Sequence, residues 1–152
     1  MTVEIDVSDG TGLVTDHQAV RGLVQAVLSE ERVAGEVEVA FVDEAAITEL
    51  NERYRGAAGA TDVLSFDYSE DGAAERWVSG EIVICPQVVV RYAAEEGRDA
   101  AAQLGWTIIH GALHLAGHDH ETDQGEMRAR EQMLLERLSG PVHALSLSDG
   151  EG

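Results

Sequence analysis

From Leu104 to Leu115 the chain is apolar on nearly every side of a helix, yet it carries His110 and His114. A helix of that composition belongs at the centre of a domain, with other elements packed around it. Burying imidazoles there costs free energy unless each is hydrogen-bonded or ligated. Four-residue spacing projects both rings from one helix face. The run continues Leu115-Ala116-Gly117-His118-Asp119-His120. Gly117 can take a positive φ, ending the helix and turning the chain back so that His120 meets the open side of the first two histidines. Three imidazoles from a helix and its following loop suit Zn²⁺, with a fourth position for water. One zinc per chain on His110, His114 and His120, and a metal-dependent hydrolase around it, are the expectations. His118 lies in the turn, where it could face solvent or substrate, and stays outside that ligand set.

The histidine spacing matches the H-E-x-x-H-x-x-G-x-x-H pattern of metzincin peptidases, with one difference. Those enzymes place a glutamate general base after the first histidine. Here that residue is Gly111, so a zinc peptidase would need its base from elsewhere. A non-catalytic protein with a structural metal is a second alternative, and such sites are normally closed by a fourth protein ligand. The sole cysteine, Cys85, lies well before the cluster in Ile82-Val83-Ile84-Cys85 and suits a small buried hydrophobe. Asp119 or His118 could instead close such a site.

The length of 152 residues suits one compact domain, expected over residues 1–140, with a loosely ordered tail over 141–152. No apolar run approaches the roughly 20 residues of a membrane span, and the N-terminus lacks the pattern of a secretory signal. A cytoplasmic location without membrane partners is expected. The net charge is −19, all ten basic residues are arginines, and lysine is absent. That balance excludes a broad electrostatic grip on nucleic acid but permits a local arginine cluster, because distant charges are screened. Arg53, Arg55, Arg76 and Arg91 are candidates for such a cluster.

Residues 3–7 alternate apolar and acidic, as a half-buried strand does. Thr15 and Gln18 suit a capping box for a helix carrying Val20, Leu23, Val24, Val27 and Leu28 inward. Residues 37–42 form the next strand, and Asp43 caps a second helix. Strands follow over 61–68 and 81–85. Pro86 opens a short helix, Asp99 caps the histidine helix, and Asp123 with Glu126 begins a final amphipathic helix. The fold expected is α+β, a single layered domain with a mixed sheet of about four strands and a buried central helix bearing the histidines.

Arg55 ends the second helix before a Gly/Ala-rich loop. There it could pair with a neighbouring carboxylate at the surface or project into a cleft to grip phosphate bidentately. Asp62 could be a turn cap or a partner of a histidine.

The segments Leu50-Asn51-x-x-Tyr54-Arg55, Thr61-Asp62-Val63-Leu64-Ser65-Phe66, Gly80-Glu81-Ile82-Val83-Ile84 and His110-Gly111-x-Leu113-His114-Leu115-x-Gly117-x-Asp119-His120 together resemble the YbeY family of bacterial endoribonucleases. The likeness runs from about Val37 to Leu138. It departs at Ala60, where a proline is common, and at His118, where a tyrosine is common. The resemblance implies an α+β fold, zinc on His110, His114 and His120, and a functionally important Arg55. It also implies cleavage of single-stranded RNA, 16S rRNA 3′-end maturation and ribosome quality control, with ribosomal RNA and small-subunit proteins as partners. Apart from the resemblance, Asp62, His118 and Asp119 are candidates to support a metal ligand or contact substrate.

Overall fold

The computed structural model describes residues 3–68, 77–118 and 124–147. They form β1 (Val3–Asp9), α1 (His17–Glu30), β2 (Ala34–Phe41), α2 (Glu44–Arg55), β3 (Val63–Asp67), β4 (Trp77–Ile84), α3 (Pro86–Glu96), α4 (Ala100–Leu115), α5 (Glu126–Arg137) and α6 (Ser139–His143). The sheet order is β1-β2-β4-β3, with β3 antiparallel to β4 and the other pairs parallel. This is the expected single α+β domain with a four-stranded mixed sheet. No helix among the described residues is long and apolar enough to cross a membrane.

Local chemistry explains most of the boundaries. Asp43 and Asp99 accept hydrogen bonds from the backbone N–H of Ala46 and Ala102, capping α2 and α4 as expected. Pro86 sits in the first turn of α3, where its missing N–H leaves no helical bond unmade. The start of α1 differs from expectation. Asp16, not Thr15, is its cap and accepts from Ala19, while the Thr15 hydroxyl meets Ser146. A carboxylate one residue further on reaches the orphan N–H groups better than a hydroxyl engaged elsewhere.

α4 is the central element, touching α1, α3, α5, α6, β3 and β4. Leu104, Ile108, Ile109, Ala112 and Leu113 are fully buried on it. Glycines permit its close approach to the sheet. A Cβ on Gly111 would stand 2.8 Å from Ile82 Cγ2, and one on Gly80 would stand 2.7 Å from Leu115 Cδ2. A smaller cluster, Ile47, Leu64, Val83, Cys85 and Val88, fills the space between α2, the sheet and α3. Val83 neighbours Ile82 and Ile84 on β4 and so faces the opposite side of the sheet. Cys85 is the buried hydrophobe expected, and burial pushes its thiol up.

The boundary expected after residue 140 falls inside α6. Val142 and Leu145 bury their side chains in the main core, and Val14 bridges Leu147. Apolar residues at those two positions give the segment a reason to stay packed, and residues 148–152 lie outside those described.

A buried carboxylate ties the turn after β1. Asp9 accepts from the Thr11 and Val14 backbone N–H groups at 2.8 and 3.0 Å. Burial opposes ionisation, but the bonds from Thr11, Val14 and Gly12 outweigh it and hold the carboxyl below 3.8. Asp9→Ala is expected to cost about 1–3 kcal/mol in chemical denaturation at neutral pH. A depressed folded pKa means this contribution is present above the unfolded value and lost as pH falls through the folded one. The gap between wild type and variant should therefore narrow below about pH 4.

Candidate metal and phosphate site

His110 and His114 stand one turn apart on α4 with ring centroids 4.7 Å apart, edge to face. Both line a cleft of about 600 Å³ together with Tyr54, Arg55, Ser65 and Asp67. The structure thus brings together three residues singled out from the sequence, His110, His114 and Arg55. The cleft borders β3, one of the two edge strands among the described residues. Ser65 fastens that strand to the histidine helix by donating its hydroxyl to the Gly111 carbonyl at 3.1 Å.

Arg55 is the last residue of α2 and is exposed. Among the described residues it has no ion-pair partner, unlike Arg91 on Glu44, Arg130 on Glu31 and Arg137 on Glu30. The loop after it is pinned by Asn51, whose side-chain amide donates to the Gly59 carbonyl at 3.0 Å. Tyr54 is 60% exposed, and its ring is braced edge-on by Phe66 at 5.4 Å. Arg53 lies 6.0 Å from the Tyr54 ring centroid. Of the arginine cluster expected round the cleft, Arg55 lines it, Arg91 is engaged by Glu44, and Arg76 lies outside the described residues.

α4 ends as Gly117 predicts. Its φ is +107°, its N–H bonds the His114 carbonyl, and the His118 N–H bonds the Leu113 carbonyl. This paired closure reverses the chain direction immediately after the second histidine. His118 then turns to α1, with Nε2 2.6 Å from Glu31 Oε1. The Arg130 guanidinium donates to the other Glu31 oxygen, also at 2.6 Å. Asp119 and His120 lie outside the described residues.

The residue that the sequence left unmarked is Glu131 on α5. Its side chain is buried, with Oε1 2.7 Å from His110 Nδ1 and Oε2 3.0 Å from Trp106 Nε1. A signal for it existed, because Met127, Glu131 and Leu134 share the buried stripe of α5, and a carboxylate in an apolar stripe needs a partner. Asp62 lines a separate cavity of about 820 Å³ that also reaches Trp106 and Glu131. Burial pushes its carboxyl up, opposed by hydrogen bonds to the carboxylate from backbone N–H groups and from Thr61.

These donors suit a zinc-like cation. Imidazoles favour borderline metals, and His110 has its Nδ1 engaged by a carboxylate, the arrangement that orients metal-bound histidines. No group of three or more potential ligands is gathered among the described residues; the third expected donor, His120, is not among them. Cys85 does not line the cleft. Gly111 has no side chain to supply a peptidase base, and a Cβ placed there would crowd Ile82, Val63 and Ser65.

The family model described as Endoribonuclease YbeY matches residues 6–139. The chain belongs to that family. Among its relatives, the endoribonuclease YbeY of Roseiflexus sp. (strain RS-1) is 38% identical over 149 residues, covering 90% of this chain and 92% of that protein. The Moorella thermoacetica endoribonuclease YbeY is 42% identical over 125 residues, covering 74% and 80%. The solution structure of TM1509 from Thermotoga maritima is 30% identical with a TM-score of 0.61, covering 91% of this chain and 95% of that one.

Gly111→Glu tests the packing at the position where a metzincin carries its base. The variant should lose about 3 kcal/mol or more of stability in thermal or denaturant unfolding, from overpacking and a buried charge. It should gain no proteolytic activity on casein or unfolded peptides.

Proposed function

We propose that this protein is a zinc-dependent, single-strand-specific endoribonuclease that acts in 16S rRNA 3′-end maturation and ribosome quality control. Membership of an endoribonuclease family supports the reaction class. The observation that carries the reading is the meeting of Arg55 with His110 and His114 in one cleft. A guanidinium able to bind phosphate and two imidazoles able to hold a metal suit metal-assisted phosphodiester cleavage.

His110, His114 and His120 would hold the metal as neutral imidazoles. Zinc, when bound, supplies a Lewis acid that polarises a phosphoryl oxygen and lowers the pKa of bound water toward about 7. Arg55 binds non-bridging oxygens of the scissile phosphate and stabilises the charge that grows there in the transition state. The exposed Tyr54 ring, immediately before Arg55 in the sequence, offers a face on which an unpaired base can stack. A duplex keeps its bases stacked inside, so such a contact favours single strands.

Three proteins test the reading: wild type, His114→Ala and Arg55→Ala, each assayed for bound zinc and for cleavage of a single-stranded RNA matching the 16S 3′ end. His114→Ala should lose both metal and cleavage. Arg55→Ala should keep its zinc while cleavage falls about 100- to 1000-fold. A zinc-loaded wild type inert on single-stranded RNA would overturn the assignment. The product ends identify the nucleophile, since a 2′,3′-cyclic phosphate means attack by the RNA's own 2′-hydroxyl.

Tyr54→Ala should raise KM for single-stranded RNA roughly fivefold or more, equivalent to at least about 1 kcal/mol of stacking. Tyr54→Phe keeps the ring and should behave as wild type. Equal KM values for all three proteins would remove Tyr54 from the substrate path.

A further inference from the structure

Glu131 is a carboxylate in the apolar stripe of α5, with both oxygens spoken for by ring N–H donors. An ionised carboxylate only accepts hydrogen bonds and an indole N–H only donates. A neutral imidazole carries one proton, on Nδ1 or on Nε2. With Glu131 Oε1 at 2.7 Å, that proton sits on Nδ1, and the lone pair sits on Nε2. Trp106 Nε1 holds the second carboxylate oxygen at 3.0 Å. Its indole also stacks on the His110 ring, centroids 5.0 Å apart and planes 29° apart. Trp106 precedes His110 by one turn of α4, so the helix itself supplies the stack.

We infer that Glu131 is a positioning residue that sets the tautomer of His110, directing Nε2 to the metal, and that Trp106 sets the orientation of Glu131. This rests on the reading of His110 as a zinc ligand. Glu131 takes no part in the chemistry of the phosphate. It acts through His110 by choosing which nitrogen keeps the proton.

Glu131→Gln preserves the shape of the side chain but leaves one accepting oxygen and one donating NH₂. The two ring donors then compete for a single acceptor. Trp106 cannot move its proton, so the amide oxygen turns to the indole. The NH₂ is left facing His110 Nδ1, and the imidazole relieves the clash by shifting its proton to Nε2. That tautomer blocks the ligating nitrogen. Removing the indole donor with Trp106→Phe lets the amide rotate and present its oxygen to Nδ1 again. A second substitution should therefore repair the first.

The experiment uses the full chain with ¹⁵N-labelled histidine. Long-range ¹H–¹⁵N correlation spectra of the metal-free protein report the His110 tautomer, and competition with a chromogenic chelator reports affinity for Zn²⁺. Wild type and Trp106→Phe should show the Nδ1–H form. Glu131→Gln should show the Nε2–H form and bind zinc about 10- to 100-fold more weakly. The double variant Trp106→Phe/Glu131→Gln should return to Nδ1–H and regain at least about fivefold in affinity over Glu131→Gln, a coupling of the size that contacting residues show. Glu131→Gln with the wild-type tautomer overturns the inference. So does a double variant that stays Nε2–H and binds no better than the single one. A wild type that binds no zinc would defeat the reading of the site, while the tautomer spectra would still decide the role of Glu131.

Discussion

The close seating of α4 on β3 and β4 governs both the core and the cleft. Five of its apolar side chains are fully buried, and each large one contributes about 1.5–3 kcal/mol on leaving water. The approach is possible because position 111 has no side chain, its Cα side meeting Ile82, Val63 and Ser65. His110 and His114 share this helix, so their separation is fixed by the same packing that stabilises the fold. A ligand pair on a surface helix would move with every fluctuation of that helix. Here the imidazoles can shift only if the core repacks, which makes the pair a rigid half-site.

The electrostatics follow from the sheet. The rows Glu4–Glu36 and Asp6–Glu38–Glu81 set carboxylates directly opposite one another across β1, β2 and β4. Like charges in such rows cost stability, and a solvated face keeps that cost small. β1 and β3 are opposite edges of the sheet, and the cleft lies along β3. The carboxylate rows run from β1 to β4, while Arg55 stands in the cleft along β3. Arg55 then acts over a short range, where screening by physiological salt protects it from distant carboxylates.

The legible parts of this chain were those encoded within a few residues. Asp43, Asp99, Pro86 and Gly117 each control a helix end through their own side chain or φ, and each does so as their neighbours predict. The histidine spacing and the apolar run around it carry the same local logic, so His110 and His114 were legible too. Strand pairing was not. β4 pairs with its chain neighbour β3 but also, in parallel, with the distant β2, and nothing local encodes that second choice. Glu131 shows the intermediate case: its position in the stripe of Met127 and Leu134 marks it as buried, but its partners Trp106 and His110 come from another helix. Asp62 attracted notice because it lies in a motif, whereas the hydrogen bond to His110 comes from a residue outside every motif.

Two histidines of the run are held by buried glutamates, and each glutamate is itself held by a second donor. His110 is bonded to Glu131, which Trp106 fixes; His118 is bonded to Glu31, which Arg130 fixes. Arg130 also donates to the Glu30 carbonyl, so α1, α5 and the end of α4 meet at one point. The chain therefore leaves α4 from a fixed origin, turned by Gly117 and anchored at His118. A buried carboxylate with a single partner would be an expense to the fold, since its second oxygen would lose water without replacement. Pairing each one twice converts that expense into orientation, and the same rule explains why both glutamates sit against a neighbouring element rather than on an open helix face.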